Sequence, residues 1–327
     1  MNPPKATPEM YIDFLIGTQT AYSCNESARV QPNIEKAPAH DAITRLLQRG
    51  VANGEGLWQE AQPQVVLTKG VLILDDSTLD KWYSTQIELV ARHWSGNHKK
   101  VVSGISLVTL LWTDGERYIP VDYRIYHKPT DGLTKHDHFR DMMQTAFERG
   151  FRPEYVCFDS WYASLKNLKQ IRTLFGYWLT RLPYDRLVNP DKLGNRPLST
   201  VELTDKGTVV HLRGFGFIKV FKIVKTEEHI EYWATNNLEM TDLIRVKFAE
   251  FSWQIEVYHR GIKQFCGIAR CQARSAKAQR NHIEFALRAF LRLEHYTFVQ
   301  GISWFEAKTS IIREAVRAYL TRPIYTF

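Results

Sequence analysis

Two apolar runs in the chain end on acids. In VLILDD, residues 71–76, four apolar residues lead to Asp75 and Asp76, and in YVCFDSWY, residues 155–162, Val156, Cys157 and Phe158 lead to Asp159. Short apolar runs of this kind read as buried strands, and side chains at the carboxyl ends of such strands leave the core of an α/β sheet where ligands are met. Each acid alone also fits ordinary structure, because Asp before Ser and Thr starts turns and Asp before a helical stretch caps it. A third acid, Glu256, lies in FSWQIEVYHRGIKQFCG, residues 251–267. On a wheel of about 100° per residue, Phe251, Ile255, Tyr258, Ile262 and Phe265 fall on one side, and Glu256, His259, Arg260 and Lys263 on the other with Trp253 beside them. As a plain surface helix it would carry a Glu256 to Arg260 pair worth about 0.3–0.5 kcal/mol. Three carboxylates brought together suit Mg²⁺, which takes a few carboxylate oxygens and leaves its other positions to water and phosphate. Two such ions about 4 Å apart activate a water or a 3′-hydroxyl and stabilise the leaving oxygen of an in-line displacement at phosphorus. Mn²⁺ can take its place.

The elements that must position these acids are legible in outline. Residues 9–22, 39–50 and 54–64 read as short helical runs, predicting a helical N-terminal domain over residues 1–64. From Val65 the pattern turns to strands: residues 65–76, then a hairpin over 98–126 turning at TDGE, with a helix at 135–150 leading to the strand before Asp159. A helix at 165–176 and a strand at 177–182 complete a βββαβαβ order, which predicts an α/β fold with a mixed sheet flanked by helices over residues 65–182. Residues 183–238 are rich in Pro, Asn, Asp and Gly, with strand-like runs at VELTD, residues 208–225 and HIEYWATN, and predict a β-rich insertion. Residues 239–327 read as helical, with a long helix over Arg280–Val299 and breaks at Gly267 and Gly301.

Charge points to the partner. The chain has 327 residues, 44% of them hydrophobic and 24% charged, which excludes a disordered chain, and its net charge is +8. The surplus is local: residues 245–292 hold ten Lys and Arg against three acids, whereas residues 1–62 hold five against seven. Arg270, Arg274, Lys277 and Arg280, with Arg288 and Arg292 beyond them, follow Lys263 and Arg260 and have Trp253 and Tyr258 nearby, a composition suited to the phosphate backbone of double-stranded DNA. No phosphate-cradling glycine motif or serine nucleophile elbow is present, so no nucleotide cofactor is expected. The pair His136 and His138, and the trio Cys266, Cys271 and His282, read as structural residues. Four cysteines without a CxxC, and no run near the roughly 20 apolar residues of a membrane span, predict a cytoplasmic protein without a membrane partner, nucleoid-associated when bound to DNA.

Taken together, Val71 to Gln264 resembles the insertion-sequence DDE transposases, in the branch with a β-rich insertion and a YREK signature. In that family an RNase H-like fold carries one Asp on the first strand, a second on the fourth and a Glu on a helix after the insertion. The resemblance implies that Asp76, in DDSTLDK, Asp159, in FDSWY, and Glu256 are the catalytic and metal-holding residues, with Lys263 as the signature Lys seven positions after the Glu. It further implies DNA cleavage and strand transfer, transposon ends and target DNA as partners, and a homodimer on DNA. The signature's Tyr and Arg positions hold Ala249 and Ser252. An RNase H-like nuclease without strand transfer and a catalytically silent DNA-binding relative remain alternatives, and Asp75 rivals Asp76 as the first acid.

Overall fold

The computed structural model describes residues 4–95, 100–226 and 229–323. The hairpin residues His98 and Lys99 and the last four residues, both included in the expectations above, lie outside them.

Ten helices and eleven strands are found among the described residues. In chain order they are α1 (Pro8–Gly17), α2 (Cys24–Arg29), α3 (His40–Arg49), α4 (Glu55–Ala61), β1 (Val71–Asp80), β2 (Ala91–Ser95), β3 (Lys100–Thr113), β4 (Ile119–Tyr126), α5 (Lys128–Asp131), α6 (Lys135–Glu148), β5 (Tyr155–Phe158), α7 (Leu165–Leu174) and β6 (Trp178–Leu182). There follow β7 (Leu187–Val188), β8 (Arg196–Pro197), β9 (Thr208–Leu212), β10 (Gly216–Thr226), β11 (His229–Thr235), α8 (Asp242–Phe265), α9 (Ala276–Gln300) and α10 (Trp304–Thr321). Nine strands form one sheet in the order β2-β3-β1-β5-β6-β11-β10-β9, with β4 on β3, and β7 pairs with β8 separately. The β1, β5 and β6 pairings are parallel, while β6, β11, β10 and β9 are antiparallel in succession. This is the expected α/β fold with a mixed sheet, and residues 183–238 carry β7–β11, of which β9, β10 and β11 extend the main sheet. VELTD is the exception: no strand forms there, although Val201 and Leu203 are buried. The short strand β2 and helix α2 went unforeseen, because neither ARHWS nor CNESAR carries an apolar run.

The chain divides into two compact units, one comprising residues 65–76 and 107–256, the other residues 1–64, 77–106 and 257–327. The first has its core around Trp112, Phe139, Phe151, Trp178 and Phe221. In the second, α1, α3, α4 and α10 pack on α9. The acidic N-terminal segment finds its counterpart there: Glu60 binds Arg288 at 2.5 Å and Arg292 at 2.9 Å. Lys308 is buried and donates to the carbonyls of Ile16, in the last turn of α1, and Thr18, which follows it, satisfying groups a helix terminus leaves open.

His282, fully buried on α9, stands between Tyr11 Oη at 3.0 Å and the Gly267 carbonyl at 3.1 Å from Nε2. A carbonyl only accepts, so Nε2 carries the proton and Nδ1 accepts from the Tyr11 hydroxyl. Burial pushes the imidazole down to about 4. The unfolded chain therefore takes up the proton first, near pH 6.5. The contribution to stability is complete above that pH and declines by roughly 3 kcal/mol as pH falls to 4. Urea melts of His282→Gln are expected to be less stable than wild type at pH 7 and to flatten the dependence between pH 6.5 and 4. An unchanged slope would assign the acid sensitivity to other groups.

Candidate active site

The first two acids meet at the end of one strand pairing. β1 and β5 run in register from Val71 with Tyr155 to Leu74 with Phe158, so Asp75 and Asp159 are the next residues on each. β1 itself does not stop there. It continues to Asp80, and where Gly104 meets it a Cβ would lie 2.6 Å from the Leu79 carbonyl, an approach open to glycine. Asp75 and Asp76 thus lie within a strand whose parallel partner has ended, and neither starts a turn. Asp159 precedes the single 3₁₀ turn Ser160–Tyr162 but makes no capping hydrogen bond with its side chain. None of the three carboxylates is spent on a turn or a cap.

Asp76 is held at both oxygens. Lys135 Nζ lies 2.6 Å from Oδ2, and the Tyr162 hydroxyl donates to Oδ1 at 2.8 Å. Tyr162 is fixed by stacking on Phe139 of α6, with ring centroids 5.4 Å apart, and Lys135 follows the N-cap Thr134, which closes a capping box with Asp137. His136 stacks on Trp161 at 4.5 Å with its Nδ1 3.1 Å from Asn167 Nδ2, and His138 pairs with Asp131 at 3.3 Å. Asp159 faces Arg181 at 3.4 Å. Arg181 is in turn anchored on Glu231, which also binds Lys225 and the Trp233 indole N–H. Burial raises the Glu231 carboxyl, but the Lys225 and Trp233 hydrogen bonds and the nearby cations outweigh it and bring it to about 2.

Glu256 lies just past the middle of α8, after the segment 248–254. That segment is pinned to the β3–β4 hairpin, with Thr113 Oγ1 donating to Gln254 at 2.6 Å and Gln254 donating to the Gly115 carbonyl at 2.9 Å. Phe248 packs on Tyr155 of β5 at 4.4 Å. Ser252 is half-buried and donates to the Phe248 carbonyl one turn back on α8. The four acids share one electrostatic neighbourhood. Asp75 is pushed well above the usual carboxylate range first by burial of its carboxyl, then by the negative charges of Asp76, Asp159 and Glu256, although the residue as a whole is only half-buried. The chemistry of this donor set fits a hard divalent cation. Its present spacing is open: among the described residues no three His, Cys, Asp or Glu side chains are close enough to hold an ion.

The residues expected on DNA divide. Trp253 is 63% exposed, and Arg260, Arg270, Arg274 and Lys277 are exposed, while Lys263 and Arg280 are half-buried. His259 is a correction: it is buried, as are Tyr258, Gly261 and Ile262 beside it. A Cβ at Gly261 would lie within 3 Å of Trp304 and Phe290, so this end of α8 is covered on more than the one face that a two-sided wheel assumes. Arg288 and Arg292 are drawn into the Glu60 ion pairs. The sequence reading missed Lys135, Tyr162 and Arg181, whose partners lie 59, 86 and 22 residues away. Only Tyr162 had a local signal, its place in the aromatic run after Asp159.

No curated relative matches the sequence. No helix among the described residues is long and apolar enough to cross a membrane. A solved structure titled as a cryo-EM structure of piggyBac transposase synaptic complex with hairpin DNA shares the fold, with a TM-score of 0.52 and 11% identity over 100% of this chain and 76% of that one. The family model described as DDE superfamily endonuclease matches residues 24–200, a span that contains Asp75, Asp76 and Asp159 and stops before Glu256. That match covers more than half of the sequence, and the chain belongs to the DDE superfamily endonuclease family.

Proposed function

We propose that the protein is a DNA transposase of an insertion sequence, cutting at the ends of its own element and joining the freed 3′-hydroxyl to target DNA as a dimer on DNA. The observation that carries this reading is the shared neighbourhood of Asp76, Asp159 and Glu256 with neither aspartate spent on a turn or cap. These three would hold Mg²⁺, or Mn²⁺ in its place. When bound, such ions activate the attacking oxygen and stabilise the leaving one. The chain's own residues prepare the site: Tyr162 fixes the Asp76 carboxylate, Arg181 steers Asp159, and the Gln254 contacts set the part of α8 that bears Glu256. Membership of the YREK branch rests on Glu256 and Lys263, since Ala249 and Ser252 take the other two signature positions.

Trp253, Arg260, Lys263, Arg270, Arg274, Lys277 and Arg280 complete the proposal as the DNA-contacting set. Phosphate contacts release counterions, so replacing Arg270, Arg274 and Lys277 together by Ala is expected to lower the slope of log affinity against log salt by about 2–3. Fluorescence anisotropy across a salt series reads this, and an unchanged slope would remove those residues from the interface.

The function itself is tested on a duplex carrying the gene's two flanks, with Mg²⁺ and an unrelated duplex as control. Joined products at the flanks are expected. Flank binding by folded protein without any cutting would mean a silent DNA-binding relative, and indiscriminate cutting without joining would mean a nuclease.

A further inference from the structure

Both oxygens of the Asp76 carboxylate already carry a donor. Tyr162 takes one oxygen as a neutral donor, which a carboxylate can keep while binding a metal through the other. Lys135 takes the second at 2.6 Å, and a positive charge there is incompatible with a divalent ion on the same oxygen. The pair is sheltered, with side-chain exposures of 18% for Lys135 and 23% for Asp76, so solvent weakens it less than an ordinary surface pair. Lys135 also has another seat. Its ammonium is 5.6 Å from the Tyr126 ring and 5.7 Å from the Trp161 ring, and both aromatic faces attract a cation without needing Asp76. The Trp161 ring is itself held by the parallel His136 ring, which Asn167 fixes from the interior.

From this arrangement, and resting on the metal-holding role proposed above for Asp76, we infer that Lys135 is a resident counter-ion. It neutralises and orients Asp76 in the metal-free protein and must withdraw toward Tyr126 and Trp161 before a divalent cation binds. Lys135 is thus a positioning residue that acts through Asp76, and it lowers the affinity of the empty site for metal. Removing its charge therefore tightens metal binding, the opposite of what loss of a structural prop or a ligand does.

The test is Mn²⁺ binding to the full chain without DNA, followed by the loss of the free-ion EPR signal, in wild type, Lys135→Met, Lys135→Arg and Glu256→Gln. Lys135→Met keeps a long unbranched side chain without the charge, and Lys135→Gln serves as a second neutral variant if Met disturbs folding. The expected result is a three- to tenfold lower Kd in the neutral variants, about the worth of one sheltered ion pair, near wild-type binding in Lys135→Arg, and weaker binding in Glu256→Gln. Binding that Glu256→Gln weakens but neutral Lys135 variants leave unchanged or weaker overturns the counter-ion role alone. No Mn²⁺ binding by any folded variant overturns the metal-holding site, and the counter-ion role with it.

Discussion

Asp76→Asn, Asp159→Asn and Glu256→Gln are each expected to reduce metal-dependent DNA cleavage by at least about 10²-fold, the scale on which removing one charge-stabilising group from a transition state acts. Each replacement keeps shape and hydrogen bonding but removes the anionic oxygen that a hard cation requires. DNA binding is expected to persist, because phosphate contact belongs to the basic residues. Asp75→Asn is the discriminating fourth variant. Its carboxyl is disfavoured as an anion by burial and by three negative neighbours, so an amide there is expected to raise stability and to keep the rate within about tenfold of wild type. Single-turnover cleavage with circular dichroism as the folding control checks all four. If the losses at positions 75 and 76 were exchanged, Asp75 would be the first metal-holding acid.

The second large effect is on stability. Glu60→Ala is expected to cost about 2–4 kcal/mol, because Arg288 and Arg292, with side-chain exposures of 14% and 32%, would lose the carboxylate both share. Burial raises the Glu60 carboxyl, but its hydrogen bonds to Arg292 and Arg288 prevail and leave it below the usual carboxylate range. That stabilisation is present above the ordinary glutamate pKa and is lost as pH falls through the lowered folded-state value. Glu60→Ala is therefore expected to unfold at lower urea than wild type at pH 7, with the gap closing in acid. Combining it with Arg288→Ala should cost less than the sum of the two changes. Strict additivity would mean that the pair contributes nothing of its own.

The contrast between these sites explains what the sequence could convey. Asp159 and Glu256 stood out as candidates through local pattern: an apolar run ending in an acid, and a polar helix face. Local pattern also located β5, α6 and α9 closely. The end of β1 was misjudged because Ser77 and Thr78 look like a turn, whereas the strand is extended through them by pairing beyond the reach of β5. His259 was misplaced because a wheel distinguishes two sides and α8 is covered on more than one near Gly261. Lys135 and Tyr162 could not be assigned to Asp76 at all, since nothing along the chain states which distant side chain closes on a carboxylate.

The connectivity of the unit built on α9 has a consequence for synthesis. Tyr11 pairs with His282, Lys308 with the residues ending α1, and Glu60 with Arg288 and Arg292, separations of 228 to 292 residues. The first helices leave the ribosome long before the helix they pack on exists, and loop closure over such distances is slow. A chain interrupted before α9 therefore leaves α1, α3 and α4 without the helix they pack on. Synthesis through α9 is thus a precondition for the structure of this unit.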